Sequence, residues 1–408
     1  MTTTADRDLR RDQLKRLSVL IAVAGVDMLG FAMVLPLLPF YALKLHATAE
    51  TIGAITASYS VAQLLAAPVW GRVSDRFGRR PALLAGLLAS AAAFAIFGFA
   101  GTIWLFFAMR LIQGAGGGTT GVAQAYVADT VAAGHRAQAL GWLSSATAVG
   151  FMLGPVLGSF AAHWGQVAPG LVAAALCLLN VAFAWKWLPE SRQPPKPGEA
   201  RAYRPVWHGA WQVVRHPRGP VPRLIWIYAA GMLGFSAMTS VLALYFQAEF
   251  ALTEKSIGWV FLYLATLSLV MRSLLLGGIV RRLGEPGTMR VGTICLTLGL
   301  VLYPVTHSFL VLAPIMALVP IGTALLFPAT TALMSHASEK AEVGTTMGVA
   351  QTFAGLSRVV APLLATSAFQ RIGSPAPFYL AGATVMLVGV LAFRLDVAPH
   401  ALRQGDAA

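Results

Sequence analysis

Of the sixteen carboxylates in this 408-residue chain, Asp27 is the one that falls inside a long apolar run; the other fifteen read as loop, tail or run-end residues. It lies ten residues into a run that starts at residue 17, roughly 15 Å deep at about 1.5 Å per helical residue, close to the middle of a bilayer with about 30 Å of hydrocarbon. An ionised carboxylate exposed to lipid there costs at least a few kcal/mol, so Asp27 must face the protein interior and be paired or protonated part of the time. Its chemistry is then reversible proton uptake coupled to whatever else the interior binds. All eight histidines read as loop or run-end residues, which leaves Asp27 as the membrane-embedded proton carrier. The alternative role is a structural ion pair between helices. Arg110, Arg272 and Arg358 are the basic residues well inside apolar runs. One acid cannot neutralise all three, so backbone carbonyls, water or a bound molecule must supply the rest. Arg272 lies nearer a run end and could snorkel; Arg358, just ahead of Ala361-Pro362, could steady the far half of a cavity.

The elements that position these groups are membrane helices. Hydrophobic residues make up 57% of the chain and charged residues 11%, with a mean hydropathy of +0.69, far from the quarter-charged composition of soluble domains. The apolar runs are long enough to cross as helices, and the roughly ten-residue alternating segments of a β-barrel do not occur. Twelve spans are expected, at 17–43, 51–71, 81–100, 103–127, 137–163, 167–188, 224–247, 256–280, 288–306, 309–334, 343–370 and 376–395. The first is about twice as long as a signal-peptide core and eleven more follow, so it reads as an uncleaved span.

The net charge of +14 raises nucleic acid as a partner, and the placement of the 30 Lys and Arg excludes it. With the amino terminus inside, 24 of them fall on cytoplasmic segments, while Lys44, Lys255 and Arg371 fall outside. That bias sets topology, with both termini cytoplasmic. No continuous basic stripe forms, so anionic lipid headgroups are the better counterpart. Cys177 and Cys295 both lie in apolar runs and read as small packing residues rather than a disulfide.

The second half of the chain repeats the first. Leu29-Gly30-Phe31 recurs as Leu233-Gly234-Phe235, Thr51-Ile52-Gly53 as Ser256-Ile257-Gly258, Gly71 to Gly78 as Gly277 to Gly284, and Gly154-Pro155 as Ala361-Pro362. The offset drifts from 204 to 207, as loop insertions would make it do. The fold class expected is an all-α integral membrane protein whose twelve transmembrane helices form two pseudo-symmetric six-helix halves. Residues 1–188 make the N-terminal half, 189–223 a cytoplasmic linker and 224–408 the C-terminal half. The linker carries Pro194-Pro195-Lys196-Pro197-Gly198 and His216-Pro217-Arg218-Gly219-Pro220. Around Trp207 to Val214 it reads equally as a short amphipathic surface helix or as a partly ordered tether.

Between the second and third spans runs Gly71-Arg72-Val73-Ser74-Asp75-Arg76-Phe77-Gly78-Arg79-Arg80-Pro81. Gly71 there permits close approach to a neighbouring helix and Gly78 a sharp turn, while Asp75 could sit on the positive end of the eleventh span, near Val343 and Gly344. In the second copy Arg281 replaces Asp75, so a latch of this kind is one-sided. Gly150, Gly154 and Gly158 recur every four residues on one helix face with Pro155 among them, a bendable close-packed seam or generic packing. Gly116, Gly118 and Gly121 match G-x-G-x-x-G, but without a preceding strand they do not signal a dinucleotide. Neither a P-loop nor a metal or nucleophile constellation appears, so the chain does not read as an enzyme.

The hairpin loop, Arg110 followed by Gln113-Gly114, and Gly150 to Gly158 with Gly154-Pro155 resemble three signature motifs of the major facilitator superfamily, over essentially the whole chain. Asp27 with Gly30, Pro36 and Pro39, and Tyr59 with Gln63, resemble its twelve-helix drug/proton antiporter branch, which includes tetracycline exporters. The resemblance implies a proton-coupled exporter of drug-like amphiphiles in a bacterial inner membrane, working by alternating access as a monomer. It implies no cofactor beyond the proton gradient. It gives Arg110 a part in coupling to the proton site, and it makes Gly71, Asp75, Arg76, Gly78 and Arg79 a cytoplasmic gate that breaks during transport, with the Gly150–Gly158 seam as the exporter's hinge. Candidate cavity residues are Phe31, Tyr59, Gln63, Gln113, Tyr228, Phe235, Tyr263, Gln351, Phe353 and Arg358, aromatics beside amides that suit a bulky, partly apolar, even cationic small molecule with Asp27 as counterion. Two features depart from tetracycline exporters: no ionisable residue lies in Ala82 to Phe99, and the eighth span has Ser268 and Arg272 but no histidine. A carrier of a sugar, siderophore or other metabolite, and a non-transporting receptor on the same scaffold, remain open.

Overall fold

In the computed structural model, residues 4–132, 135–191, 206–217, 219–339 and 342–393 are described. The run Pro194 to Gly198 and the basic residues Lys340, Arg394 and Arg403 lie outside them. Among the described residues there are helices and turns and no strand. In chain order the helices are α1 Thr4–Val34, α2 Leu38–Lys44, α3 Ala49–Phe77, α4 Arg79–Gly98, α5 Ile103–Gly117, α6 Thr120–Thr130, α7 Arg136–Ala161, α8 Ala168–Trp187, α9 Val206–Arg215, α10 Pro220–Phe250, α11 Ile257–Val270, α12 Leu276–Leu302, α13 Phe309–Ala337, α14 Val343–Arg371 and α15 Ala376–Phe393.

Nine helical segments among the described residues are long and apolar enough to cross a membrane. One of them, Ile257–Val305, is 49 residues long and bends at Gly284, where φ is +67°. The α5–α6 segment and the shorter apolar helix Ala376–Val390 complete a set consistent with twelve passes. Large apolar side chains face outward, Trp104 at 79% exposure and Leu310 at 88%, as lipid-facing surfaces require.

Two compact units form: Met1–Glu199 with Ala251–Leu262, and Ala200–Phe250 with Tyr263–Ala408. In the first, α1 packs on α7 and α8, and α4 on α5 and α8, around a core that includes Leu20, Leu87, Tyr126 and Leu143. In the second, α10 packs on α14 and α15, and α12 on α13 and α15, the same pairing repeated. The backbone carries the duplication as well. Residues with positive φ come in three pairs: His46 with Ala251, Gly78 with Gly284, and Gly165 with Gly373. Their offsets of 205, 206 and 208 follow the drift of the sequence matches, so each half turns its chain at equivalent points.

The fourth span departs from a continuous helix over 103–127. It breaks between Gly117 and Thr120 into α5 and α6, where Gly114, Gly116, Gly117 and Gly118 lower helix propensity. The carbonyls freed there find other donors: the Trp70 indole reaches Ala115 O at 2.6 Å, and Thr119 Oγ1 reaches Gly116 O at 2.9 Å. In exchange the glycines admit neighbours, since a Cβ on Gly118 would stand 2.7 Å from Trp70 and one on Gly116 2.9 Å from the Gly86 carbonyl. The first two glycines of the G-x-G-x-x-G match thus serve packing, while a Cβ on Gly121 would meet nothing within 4 Å.

Of the two readings of the linker's second part, a helix forms, α9. Its Val213 is buried and Gly209 lies where a Cβ would meet Val349 of α14 at 2.8 Å. Trp211 and Val214 stay exposed. Cys177 and Cys295 are free thiols, the first buried.

In the loop ahead of α11, Lys44 Nζ contacts Glu254 Oε1 at 2.7 Å. Burial pushes the Glu254 carboxyl up, but the Lys44 hydrogen bond and charge, with Lys255, outweigh it and leave the group below its ordinary 4.5. The pair therefore stabilises the fold above that value, and the contribution disappears as pH falls through the lowered one. With Lys44 half-exposed it is worth at most about 1 kcal/mol. A Lys44→Gln variant should unfold at a slightly lower temperature than the parent at pH 7, and at the same temperature at acid pH, once Glu254 is protonated in both.

Candidate functional site

The site is built first by α1. Asp27 is partly buried one helical turn before Phe31, and its carboxylate lies within hydrogen-bonding reach of the Ser90 hydroxyl on α4. At Gly30 a Cβ would meet Phe94 at 3.2 Å and the Cys177 sulfur at 3.6 Å, so α4 and α8 close on this stretch of α1. Asn180 Nδ2 donates to the Val23 carbonyl at 2.9 Å and fixes α8 to α1 one turn before Asp27.

The other side of α1 carries the glycine seam. A Cβ on Gly154 of α7 would stand 2.5 Å from the Ala32 Cβ and 2.7 Å from the Leu29 carbonyl. On Gly150 it would run into the Gly25 carbonyl, and on Gly158 into that of Met33. Three turns of α7 thus lie directly on the α1 backbone on both sides of Asp27, the contact that small residues four apart make possible. Pro155, between them, faces the start of α11: a Cβ on Gly258 would be 2.5 Å from the Pro155 carbonyl, and the Gly258 N–H, an unpaired donor of the helix start, gives its hydrogen to Ser159 Oγ at 3.0 Å.

In the first unit the polar and aromatic candidates come together as one cluster. Phe31 and Tyr59 rings are 5.2 Å apart; Gln63 Nε2 donates to Tyr59 Oη at 3.2 Å and to the Gly117 carbonyl at 3.3 Å. The Arg110 guanidinium lies 5.7 Å from the Tyr59 ring centre and donates from Nη1 to Gln113 Oε1 at 2.9 Å. Arg110 is 1% exposed, yet its Nε and Nη2 and the Gln113 Nε2 have no hydrogen-bond partner. No ion pair joins it to Asp27. Burying a guanidinium with unpaired donors is unfavourable by several kcal/mol, so an acceptor brought to this cluster would be held there.

In the second unit Gln351 Nε2 donates to Tyr228 Oη at 3.4 Å, and Tyr228 meets Phe327 edge-on at 5.3 Å. Phe353 packs against Trp226 at 5.2 Å. Phe327 and Trp226 belong to these aromatic pairs but carry no motif signal that would have singled them out. Tyr263 joins neither pair: its hydroxyl donates to the Ala313 carbonyl at 2.9 Å and the residue is 37% exposed. Phe235 and Arg358 are partly buried outside the aromatic pairs, and Arg272 is exposed in a π-helical turn, Met271–Leu275.

The hairpin loop is held by charges. Gly78 makes the turn with φ +109°, and Arg79 reaches Asp75 at 2.7 Å, Asp129 of α6 at 3.0 Å and Ser74 Oγ at 2.6 Å. Asp75 is exposed, as is Arg76. One expectation is corrected: Gly71 makes no close approach, because a Cβ there would meet nothing within 4 Å. The backbone that needs glycine in this loop is Gly78, not Gly71. Glu190, which sequence reasoning passed over, caps α4: its carboxylate accepts from Arg79 N at 2.8 Å and Arg80 N at 3.1 Å, answering two of the four unpaired donors at the helix start. A Cβ on Gly78 would strike it. The Pro189 carbonyl beside it accepts from Tyr126 Oη at 2.8 Å, so the exit of α8 is bolted to the hairpin. Glu190→Ala should cost about 0.5–2 kcal/mol of stability and loosen the hairpin, read as faster amide exchange at Arg79 and Arg80 with little change at α3.

Among the described residues no cluster of three or more His, Cys, Asp or Glu could hold a metal ion. The family model of the Major Facilitator Superfamily matches residues 20–322 and 249–408. The chain is similar to Multidrug resistance protein 2 of Bacillus subtilis (strain 168), 28% identical with 91% of this chain and 92% of that one covered. It is similar to the class C tetracycline resistance protein of Escherichia coli, 29% identical over 93% and 96% of the two chains. Among solved structures, the human organic anion transporter MFSD10 (TETRAN) shares the fold at a TM-score of 0.67 and 23% identity, over 93% of this chain and 99% of that one. With the duplicated halves and the matched motifs, these place the chain in a single family: it belongs to the Major Facilitator Superfamily.

Proposed function

We propose that the protein is a proton-coupled antiporter that exports drug-like, amphiphilic small molecules. The observation that carries this reading is Asp27, a carboxylate at mid-span on the stretch of α1 that the α7 glycines hold, with Ser90 of α4 beside it. Its relatives named for multidrug and tetracycline resistance support the substrate class and the outward direction. In the cycle, substrate arrives from the cytoplasm or inner leaflet, Asp27 releases its proton inward, and reprotonation from outside lets the substrate go.

Arg110 responds to the charge on Asp27 when the cluster around Tyr59 rearranges, taking the acceptor its Nε and Nη2 lack. Phe31, Tyr59, Gln63 and Gln113 offer one aromatic and amide surface, and Tyr228, Gln351 and Phe353 a second. Such surfaces bind flat, partly polar molecules through area and a few hydrogen bonds. The hairpin with Asp75, Arg76 and Arg79, turned at Gly78, serves as the gate, and Gly150, Gly154, Pro155 and Gly158 as the hinge. Energy comes from the proton gradient, with no cofactor and no catalysed reaction, in a monomer of the bacterial inner membrane with both termini cytoplasmic. Residues 1–188, 189–223 and 224–408 serve as the two halves and their linker.

Proteoliposomes with an imposed pH gradient test it, over a panel of lipophilic cations, tetracyclines and sugars. Gradient-driven movement of the cations or tetracyclines is expected; movement of sugars alone would replace the drug reading with a metabolite carrier.

A further inference from the structure

The second copy of the hairpin is unlike the first. Arg281 stands where the first copy has Asp75, and Glu285 where it has Arg79; Glu285 pairs with His336 of α13 at 3.1 Å as Arg79 pairs with Asp129 of α6, so the network is rebuilt with its signs reversed and leaves Arg281 outside it. Beside Arg281 a groove of about 430 Å³ opens, lined by Leu274, Leu275, Gly278, Ile279, Arg281 and Arg282. Its floor is apolar and outward-facing, with Leu274 73% and Leu275 48% exposed. Gly278 leaves the middle open, since a Cβ there would meet nothing within 4 Å. The groove begins in the π-helical turn Met271–Leu275, a widened turn of the kind found at functional sites.

At its end both guanidinium groups are exposed and neither pairs with a described residue. The acid next along the helix, Glu285, is taken by His336 at 3.1 Å. An apolar trough ending in two uncompensated arginines fits one kind of molecule, an amphiphile with an acyl chain and a phosphate. Guanidinium forks bind phosphate oxygens in pairs, and basic pockets at the inner end of membrane helices attract anionic headgroups. A soluble anion would leave the leucine walls unused. We infer that this groove holds an anionic phospholipid of the surrounding leaflet, its phosphate on Arg281 and Arg282 and an acyl chain along Leu274, Leu275 and Ile279. The reversed network uses Glu285 and His336 and leaves both arginines available to the headgroup. The inference is independent of what the protein transports.

Native mass spectrometry of the full chain in detergent tests it, with titration by dioleoyl phosphatidylglycerol and by dioleoyl phosphatidylcholine. Phosphatidylglycerol adducts should appear at lower lipid concentration than phosphatidylcholine adducts. Arg281→Gln with Arg282→Gln should weaken phosphatidylglycerol retention roughly tenfold and leave phosphatidylcholine unchanged, while Arg281→Lys with Arg282→Lys keeps most of the preference. Millimolar inorganic phosphate should not displace the bound lipid. Equal retention of the two lipids by the parent chain would overturn the site, as would an undiminished preference in the glutamine variant. Displacement by phosphate would reassign it to a soluble anion. Should the glutamine variant not fold, the lysine variant and the phosphate competition still decide.

Discussion

Replacing Asp27 with asparagine is expected to abolish uphill transport while leaving the protein folded and able to bind substrate. Asparagine keeps the size and the ability to hydrogen-bond Ser90, but it cannot exchange a proton. One proton traded for one neutral substrate lets each pH unit, about 1.4 kcal/mol, build roughly a tenfold concentration ratio. In the variant the ratio should fall to one at every imposed gradient, with substrate only leaking or exchanging down its own gradient. The neutral amide also removes the cost of an ionised group at mid-span, so thermal stability in detergent should hold or rise. A variant that still concentrates substrate would remove Asp27 from coupling. A changed substrate range with coupling intact would make it a binding residue only.

The second large effect is expected at Gly154. Because even a single Cβ would stand 2.5 Å from the Ala32 Cβ and 2.7 Å from the Leu29 carbonyl, Gly154→Val must push α1 and α7 apart. Overpacking of this kind costs about 1–3 kcal/mol, and the displaced backbone is the one that carries Asp27. Both the unfolding temperature and the transport rate should drop. Gly71→Ala is the matched control: with open space around it, its unfolding temperature should stay close to the parent's. Equal losses from the two substitutions would mean that the α1–α7 seam is not the tight contact it looks.

What could be read from residues alone was the material whose signal is local or periodic. Asp27 declares itself because charge in a long apolar run is costly, and the duplication because Leu29-Gly30-Phe31 and Gly71 to Gly78 recur as Leu233-Gly234-Phe235 and Gly277 to Gly284 at a near-constant offset. The α7 glycines were legible too, since a spacing of four puts them on one helix face. The first-unit cluster of Phe31, Tyr59, Gln63, Arg110 and Gln113 came together from three spans. Partners distant in sequence were not legible. Glu190 caps a helix 111 residues away, Asp129 sits 50 residues from Arg79, and neither lies in a motif. Gly71 misled for the same reason: a glycine says that close approach is allowed, not that a neighbour is there. The break in the fourth span and the bond of Tyr263 to Ala313 depended on which carbonyls the surrounding helices left free.

The most direct measurement is proton release on substrate binding, made with purified protein in weakly buffered detergent solution and compared between the parent chain and Asp27→Asn. If Asp27 trades its hydrogen for substrate, adding substrate to the parent should acidify the solution by up to one proton per bound molecule, and the variant should bind with no acidification. Equal release from both, or binding by the parent with no pH change across the range where substrate binds, would contradict exchange at Asp27.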